Sequence, residues 1–275
     1  MVFQRQRNER AMKKFEINRY RIEIGQRAAD REAVRLVLLS DLHGNCYGKE
    51  NQILTESILR LHPDLIVMAG DMITDCAHPI SEGIKALMRR LGESCPVYYG
   101  NGNHESAMKE EGPEEKGIYL EYRSFLKACG IFLLENESRD LKIKGLDIRV
   151  FGLEIDQNYY KRFCYQKLRV EEVRKKLGNP GADVFNLLIA HNPMGFPAYA
   201  RWGADLTVSG HLHGGFMRLP VLGGVVSPQM HLFPKYDKGF YRLEDHGLLV
   251  SAGIGNHFPP PRIWNPREVV VADLY

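Results

Sequence analysis

Short apolar runs of strand length recur along this 275-residue sequence, and each is followed by polar residues. Five runs matter most, at residues 37–40, 65–69, 96–99, 187–190 and 206–209. Apolar residues recur at helical spacing between the first three runs, where Ser81 is a candidate N-cap and Gly92 a candidate helix end. The pattern predicts two strand–helix–strand units. Because such crossovers are almost always right-handed, we expect a parallel sheet whose following loops share one edge.

Further along the chain, the spacing of the apolar residues changes from helical spacing to alternation. Residues 118–129 predict a third helix and residues 131–134 a short strand, after which alternating residues around Lys144-Gly145 predict a hairpin. An antiparallel portion is therefore expected to follow the parallel one, with a helix at 170–177 and a strand-rich last third. Residues 15–24 alternate as in an edge strand or hairpin beside the first sheet. With no repeat or linker in the sequence, we expect one domain over residues 15–275.

Composition and charge narrow the function classes only slightly. The composition, with 44% hydrophobic and 26% charged residues, is that of a globular protein, and a net charge of +3 does not indicate a nucleic-acid partner. No basic stripe interleaved with aromatic residues is present either. Five scattered cysteines without a Cys-x-x-Cys pair argue against a disulfide framework or a zinc ribbon. They favour a reducing compartment.

The termini and the hydropathy predict a cytoplasmic protein. No apolar segment approaches the roughly 20 residues that span a bilayer, and the N-terminus lacks the apolar core of a signal peptide. Residues 1–14 carry five basic residues and one acidic residue. This basic arm has two interpretations, a flexible terminus or a contact with anionic lipid headgroups at the membrane surface.

The polar residues after the five runs are of metal-binding type. Seven candidate ligands follow strand ends: Asp41, His43, Asp71, Asn103, His191, His211 and His213. A set of nitrogen and oxygen ligands without a thiolate suits Mn, Fe or Zn and argues against a closed structural zinc site. Seven ligands are too many for one four-coordinate ion but fit two ions that share Asp71. Because two carboxylates offset only half the charge of two divalent ions, the centre should attract an anion such as phosphate.

Five motifs carry a resemblance to a known family. In order, they are Asp41-x-His43, Gly70-Asp71-x-x-x-Asp75, Gly102-Asn103-His104-Glu105, His191 and Gly210-His211-x-His213. This set resembles that of the calcineurin-like metallophosphoesterases. The resemblance continues through residues 214–220 and 251–262, as in the small bacterial phosphohydrolase and phosphodiesterase branch of the family.

The resemblance implies a fold, a ligand assignment and a catalytic residue. The fold would be a four-layer α/β/β/α sandwich of two facing mixed β-sheets flanked by helices. One ion would be held by Asp41, His43, Asp71 and His213, and the other by Asp71, Asn103, His191 and His211. His104 would act near the leaving-group oxygen, as general acid or stabiliser. Protein phosphatases of the family have an Arg after the acid of the second motif, whereas Cys76 follows Asp75 here. A protein substrate is therefore not expected.

The expected activity is hydrolysis of a small-molecule phosphoester, with a hydroxide held between two metals as nucleophile. A phosphodiester is favoured through the branch that the chain resembles. A phosphomonoester, a nucleotide or a lipid-headgroup pyrophosphate is the alternative, and a non-catalytic scaffold is a second one. No protein partner is indicated. Asp75 and Glu105 are expected to orient ligands or cap loops, and residues 156–164 to form either a substrate wall or a helix.

Overall fold

The computed structural model describes residues 15–25, 31–74, 80–219, 222–256 and 262–275. The basic arm, Asp75 and Cys76 lie outside these residues. The described strands are β1 (Glu16–Ile22), β2 (Val34–Leu39), β3 (Leu65–Ala69), β4 (Val97–Gly100), β5 (Phe132–Leu134), β6 (Glu137–Ile143), β7 (Leu146–Leu153), β8 (Phe185–Ala190), β9 (Leu206–Ser209), β10 (Arg218–Leu219), β11 (Gly223–Gly224), β12 (Gly239–Leu243), β13 (His246–Val250) and β14 (Glu268–Leu274). The described α-helices are α1 (Gln52–Leu59), α2 (Glu82–Gly92), α3 (Asn103–Glu110), α4 (Pro113–Ala128), α5 (Val170–Leu177) and α6 (Phe196–Trp202).

The first sheet has the strand order β1-β14-β2-β3-β4-β5. Strands β2 to β5 are parallel. Helix α1 lies between β2 and β3, and α2 between β3 and β4, so both predicted strand–helix–strand units are confirmed. Ser81 caps α2, because its hydroxyl accepts a hydrogen bond from the backbone N–H of Ile84 at 3.4 Å. The edge strand expected at residues 15–24 is also present. It pairs with β14 from the far end of the chain, a long-range contact that has no local signal.

The second sheet has the strand order β12-β13-β9-β8-β7-β6. The predicted hairpin is confirmed as β6 and β7, joined by Lys144 and Gly145 with φ angles of 48° and 77°. A second antiparallel pair, β12 with β13, closes the other edge of this sheet, whereas β7, β8, β9 and β13 between the two hairpins are parallel neighbours, which the sequence did not predict. Helices α5 and α6 provide the first two crossovers. A fully buried strand is apolar in either direction, so periodicity could not reveal the strand direction.

The two sheets face each other and are covered on their outer faces by helices. Apolar residues such as Leu38 and Leu187 fill the space between the sheets. A second core lies between the first sheet and α1, α2 and α4, and a third lies between the other sheet and α5 and α6. The four-layer α/β/β/α architecture is therefore confirmed. Within the described ranges, no helix is long and apolar enough to cross a membrane.

The core between the sheets predicts a clear difference between buried and exposed leucines. Leu38 on β2 is fully buried, so Leu38→Ala should lower the free energy of unfolding by about 3 kcal/mol through lost contacts and a cavity. Leu120→Ala is the matched control because Leu120 lies on α4 with 47% of its surface exposed, and its effect should stay within about 0.5 kcal/mol. Guanidinium denaturation measures the free energy of unfolding of both variants. Equal losses would show that Leu38 is not packed in a core between the sheets.

Candidate metal centre

The carboxyl ends of parallel strands from both sheets meet at one edge of the sandwich. Asp41 follows β2 and Asp71 follows β3 in the first sheet, whereas His191 follows β8 and His211 follows β9 in the second. The sheets bring these side chains together: His191 Nε2 lies 3.0 Å from Asp71 Oδ2 and 3.9 Å from Asp41 Oδ1. The expectation that separate strands deliver ligands to one edge is thus met across two sheets.

The ligand-type atoms form three overlapping groups, and within each group they lie within 4.8 Å of one another. The groups are Asp41 with His43 and His213, His43 with Asp71 and His104, and Asp71 with His191 and His211. Asp71 and His43 each belong to two groups. The overlap connects all six predicted carboxylate and histidine ligands into one cluster, and every one of the six is buried.

Asn103, the seventh predicted ligand, is the first residue of α3. Its Oδ1 atom is buried, and no hydrogen-bond donor reaches that atom among the residues that the structure describes. An amide oxygen buried without a donor loses its hydration energy unless another positive group approaches it. Together with the nitrogen and oxygen character of the neighbouring groups, this orphaned oxygen fits a bound divalent cation.

The first group is compact enough to surround a small cation. His43 Nε2 and His213 Nε2 lie 3.2 Å apart with their rings stacked, and His213 Nε2 lies 3.3 Å from Asp41 Oδ1. Two imidazole nitrogens and a carboxylate oxygen therefore converge on one point. Imidazole and carboxylate are ligands that Zn, Mn and Fe accept.

His104 stands beside Asp71 at the mouth of the cluster. Its Nε2 atom lies 3.9 Å from Asp71 Oδ2, and its backbone N–H donates to Asp71 Oδ1 at 3.0 Å. The side chain of His104 is 13% exposed, more than the side chains of Asp41, His43, Asp71, His191 and His213. The imidazole of His104 is therefore the most solvent-accessible of these side chains.

Five of the candidate ligands adopt left-handed backbone conformations. Their φ angles are 53° for Asp41, 47° for His43, 53° for Asp71, 68° for His211 and 51° for His213. This region costs a non-glycine residue roughly 1–2 kcal/mol. All five lie in the loops directly after β2, β3 and β9, so the cluster carries backbone strain, as is common at functional sites.

Two glycines of the motifs allow carboxylates to pass against the backbone. A Cβ atom at Gly102 would lie 2.1 Å from Asp71 Oδ1, and one at Gly210 would lie 2.3 Å from Asp41 Oδ2. Any side chain at either position would displace a candidate ligand. The glycines of these motifs are thus required by close approach.

A buried carboxylate, that of Glu105, fastens two ligand loops together. It accepts hydrogen bonds from the backbone N–H groups of Asp71 at 2.9 Å, Met72 at 2.8 Å and Gly102 at 2.9 Å, and from the Tyr99 hydroxyl at 2.6 Å. The backbone N–H of Ile73 donates a longer hydrogen bond, of 3.3 Å, to the same carboxylate. Burial, with a smaller contribution from the Asp71 charge, raises the pKa of Glu105. The expected loop-capping role of Glu105 is confirmed by these contacts.

Burial and mutual charge set the protonation of the central groups. Burial raises the pKa of Asp41 to about 6, helped by the nearby Asp71 charge and opposed by His191. Burial would also raise the pKa of Asp71, but the imidazolium of His191 outweighs it and lowers that pKa well below its usual value. Burial lowers the pKa of His191, yet the Asp71 carboxylate raises it to about 10 overall. A cation that binds His191 must therefore displace a proton.

Two residues near the cluster were not among the predicted ligands: Tyr160, from the segment interpreted as a substrate wall or a helix, and Arg262, from the last stretch of the resemblance. The ring of Tyr160 packs edge-on against His211, with 4.9 Å between ring centroids. One Arg262 nitrogen donates to the Gly255 carbonyl at 2.7 Å and lies 3.1 Å from His213 Nδ1. Burial lowers the pKa of Arg262 to about 10. Neither residue belongs to a metal-ligand motif, so only the fold could place them here.

The segment at residues 156–164 is mostly irregular. It contains a single 3-10 turn at Gln157–Tyr160, so the interpretation as a longer helix is wrong. Gln157 donates to the backbone carbonyl of Asn103 at 3.1 Å, and Tyr160 faces His211. The segment therefore borders the cluster, as a substrate wall would.

A family comparison agrees with the fold and the cluster. The model of the calcineurin-like phosphoesterases matches residues 34–215, more than half of the 275 residues. The chain therefore belongs to the calcineurin-like phosphoesterase family. This match includes all seven candidate ligands together with His104.

Similar proteins with assigned names come from several organisms. A Caenorhabditis elegans protein named as a metallophosphoesterase is 28% identical over 246 residues, or 86% of this chain, which spans only about half (47%) of that relative. The uncharacterized metallophosphoesterase YkuE of Bacillus subtilis is 25% identical over 88% of this chain and 79% of its own length. The phosphodiesterase YaeI of Escherichia coli is 24% identical over 88% of this chain and 82% of its own.

A solved structure shares the architecture. The phosphopantetheinyl hydrolase PptH from Mycobacterium tuberculosis superposes with a TM-score of 0.51, covering 83% of this chain and 91% of its own. Its sequence is 14% identical, so the likeness shows the fold alone.

The contacts of Glu105 predict a large loss of stability when its charge is removed. In Glu105→Gln, an amide N–H₂ replaces an oxygen that accepts hydrogen bonds, so at least one buried backbone N–H faces another donor. The free energy of unfolding should fall by about 3 kcal/mol. Glu137→Gln on β6 is the control, because Glu137 is exposed. Guanidinium denaturation of the two variants should separate them, and matching midpoints would show that Glu105 does not fasten the loops.

Proposed function

We propose that this protein is a dinuclear metal-dependent phosphodiesterase. One observation carries the proposal, the membership of Asp71 in two ligand groups. Asp71 belongs to the group with His191 and His211 and also to the group with His43 and His104. His43 belongs in turn to the group with Asp41 and His213. A carboxylate shared between two groups is what a two-ion centre requires. In this assignment one ion is held by Asp41, His43, Asp71 and His213, and the other by Asp71, Asn103, His191 and His211.

The charge of the site supports an anionic substrate. Asp41 and Asp71 are the two carboxylates among the seven proposed ligands, and the amide of Asn103 adds no charge. Two divalent ions would leave the centre positive and therefore attractive to a phosphoester. When bound, such ions lower the pKa of a water molecule toward roughly 7 and offset the charge that develops on the phosphate. The ligand chemistry suits Mn, Fe or Zn.

His104 is the residue that we assign to the leaving group. Its backbone N–H is fastened to Asp71, while its imidazole stays partly exposed at the mouth of the cluster. From there its Nε2 can donate a proton to the oxygen that departs from phosphorus. Positioned proton transfer of this kind typically contributes about 10²- to 10⁴-fold to a rate.

Two further observations bear on substrate and location. The similarity to the phosphodiesterase YaeI favours a diester over a monoester, a nucleotide or a lipid-headgroup pyrophosphate. Four cysteines, Cys46, Cys95, Cys129 and Cys164, are free thiols in the described part of the chain, which supports a reducing compartment such as the cytoplasm.

The shared carboxylate predicts the metal content. Protein loaded with Mn²⁺ and freed of excess metal by gel filtration should carry two ions per chain, whereas Asp71→Asn should retain fewer because the amide removes the shared charge. Elemental analysis measures this without any substrate. Asp147→Asn, an exposed position on β7, is the matched control and should keep both ions. Two ions on the Asp71 variant would refute the bridging assignment.

The position of His104 predicts a loss of rate without a loss of metal. For His104→Ala, kcat on bis(p-nitrophenyl) phosphate should fall by about 10²-fold or more. The loss should be larger on diphenyl phosphate, because its more basic leaving oxygen depends more on a proton donor. His62→Ala, at an exposed position, should leave both rates unchanged.

The same assays test the ester class. Wild-type kcat/KM should be higher for bis(p-nitrophenyl) phosphate than for p-nitrophenyl phosphate. A preference for the monoester would replace the diesterase assignment with the alternative. Full activity of the His104 variant on both diesters would remove His104 from the mechanism.

A further inference from the structure

Large apolar side chains are exposed beside the metal cluster. Five of them form what we call the apolar patch: Phe163, Tyr165, Met230, Leu232 and Phe233. Each has between 39% and 73% of its surface exposed. Single exposed apolar residues are common, but several together usually mark a binding surface.

The apolar patch is one surface because two segments are fastened together. The backbone N–H of Phe163 donates to the Gln229 carbonyl at 2.9 Å, and the Gln229 side chain donates to the Tyr159 carbonyl at 2.6 Å. The ring of Tyr165 stacks on the buried His231, with 4.6 Å between centroids. The turn at residues 227–231 is therefore held against the segment that contains Phe163 and Tyr165.

The backbone holds three patch residues in conformations that bulky side chains avoid. The φ angles are 57° for Phe163, 63° for Met230 and 46° for Phe233. Left-handed conformations are outliers for side chains of this size. Both the loss of burial and the backbone strain oppose this arrangement. Stability of the isolated chain does not explain why these residues are exposed.

The charge around the apolar patch has a single sign. Residues 157–169 and 214–235 contain no Asp or Glu. Five exposed cations lie in them. Arg169 pairs with Glu172 at 3.7 Å, whereas Lys161, Arg162, Lys167 and Lys235 form no ion pair within the part of the chain that the structure describes. Arg218, in the same region, is instead paired with Asp237 at 2.8 Å. A surface with exposed apolar side chains among unpaired cations is complementary to a lipid bilayer, whose anionic headgroups cover an apolar interior.

We propose that the apolar patch and its four cations dock this protein onto an anionic lipid bilayer. Phe163, Met230 and Phe233 enter the headgroup region, and the cations contact lipid phosphates. Each cation near such a surface strengthens binding about fivefold. The docking surface adjoins the metal cluster, because Tyr160 packs on His211 only three residues before Phe163.

Sedimentation with lipid vesicles tests the proposal on the full chain. The wild type should bind vesicles of equimolar phosphatidylcholine and phosphatidylglycerol, and its binding to phosphatidylcholine alone should be at least an order of magnitude weaker. The double variant Phe163→Ser with Phe233→Ser should lose about 30-fold in affinity for the anionic vesicles, because two aromatic rings no longer leave water. Lys161→Gln with Arg162→Gln should lose about 25-fold.

Matched controls separate docking from general hydrophobicity and from misfolding. Leu120→Ser changes an exposed apolar residue on α4, away from the patch segments, and should bind as the wild type does. Thermal melting should show all variants folded. Equal binding of the wild type to both vesicle types would overturn the proposal. So would wild-type affinity of the Phe163 and Phe233 variant, which would assign binding to the basic arm at residues 1–14. Binding is measured without substrate, so its outcome is independent of catalytic activity.

Discussion

The arrangement of the candidate metal ligands depends on the hydrogen bonds that the buried carboxylate of Glu105 accepts. The donors come from the loop after β3, the segment before α3 and the hydroxyl of Tyr99 on β4. Without an acceptor of this shape, several backbone N–H groups would be buried and unpaired, at about 1–3 kcal/mol each. Glu105 thereby fixes the separation between Asp71 and the residues that open α3, Asn103 and His104.

The same loops carry backbone strain, and the fold compensates for it. Five left-handed residues at roughly 1–2 kcal/mol each amount to a large part of the stability of a typical domain. Hydrogen bonds between the loops oppose this strain: the N–H of Asp41 donates to the Gly70 carbonyl at 2.9 Å, and the N–H of His43 donates to the Asp71 carbonyl at 3.0 Å. Because each loop starts at the end of a buried strand and these two loops are hydrogen-bonded to each other, the side chains are preorganised before any ligand arrives.

The sequence reveals the cluster better than it reveals the fold around it. Asp41, Asp71 and Asn103 could be assigned to one edge because parallel strands share their carboxyl ends, a rule that needs only local patterns. That a second sheet faces the first followed from resemblance alone. Helix α3 was not expected, because only Glu105 and Met108 of its eight residues are buried and its apolar face is too small to give a periodic signal.

The sequence suggested a substrate wall at residues 156–164, but it could not predict which side chains long-range contacts bring to the cluster. Arg262 reaches His213 across 49 positions, and the contact of Tyr160 with His211 crosses a comparable distance in sequence. Neither lies at a strand end or in a metal-ligand motif. The ligands lie directly after strand ends, whereas Tyr160 and the apolar patch lie in irregular segments and turns. Loops of that kind can change without disturbing the ligands. We therefore expect the choice of substrate, unlike the chemistry, to be set by the segments that surround the cluster.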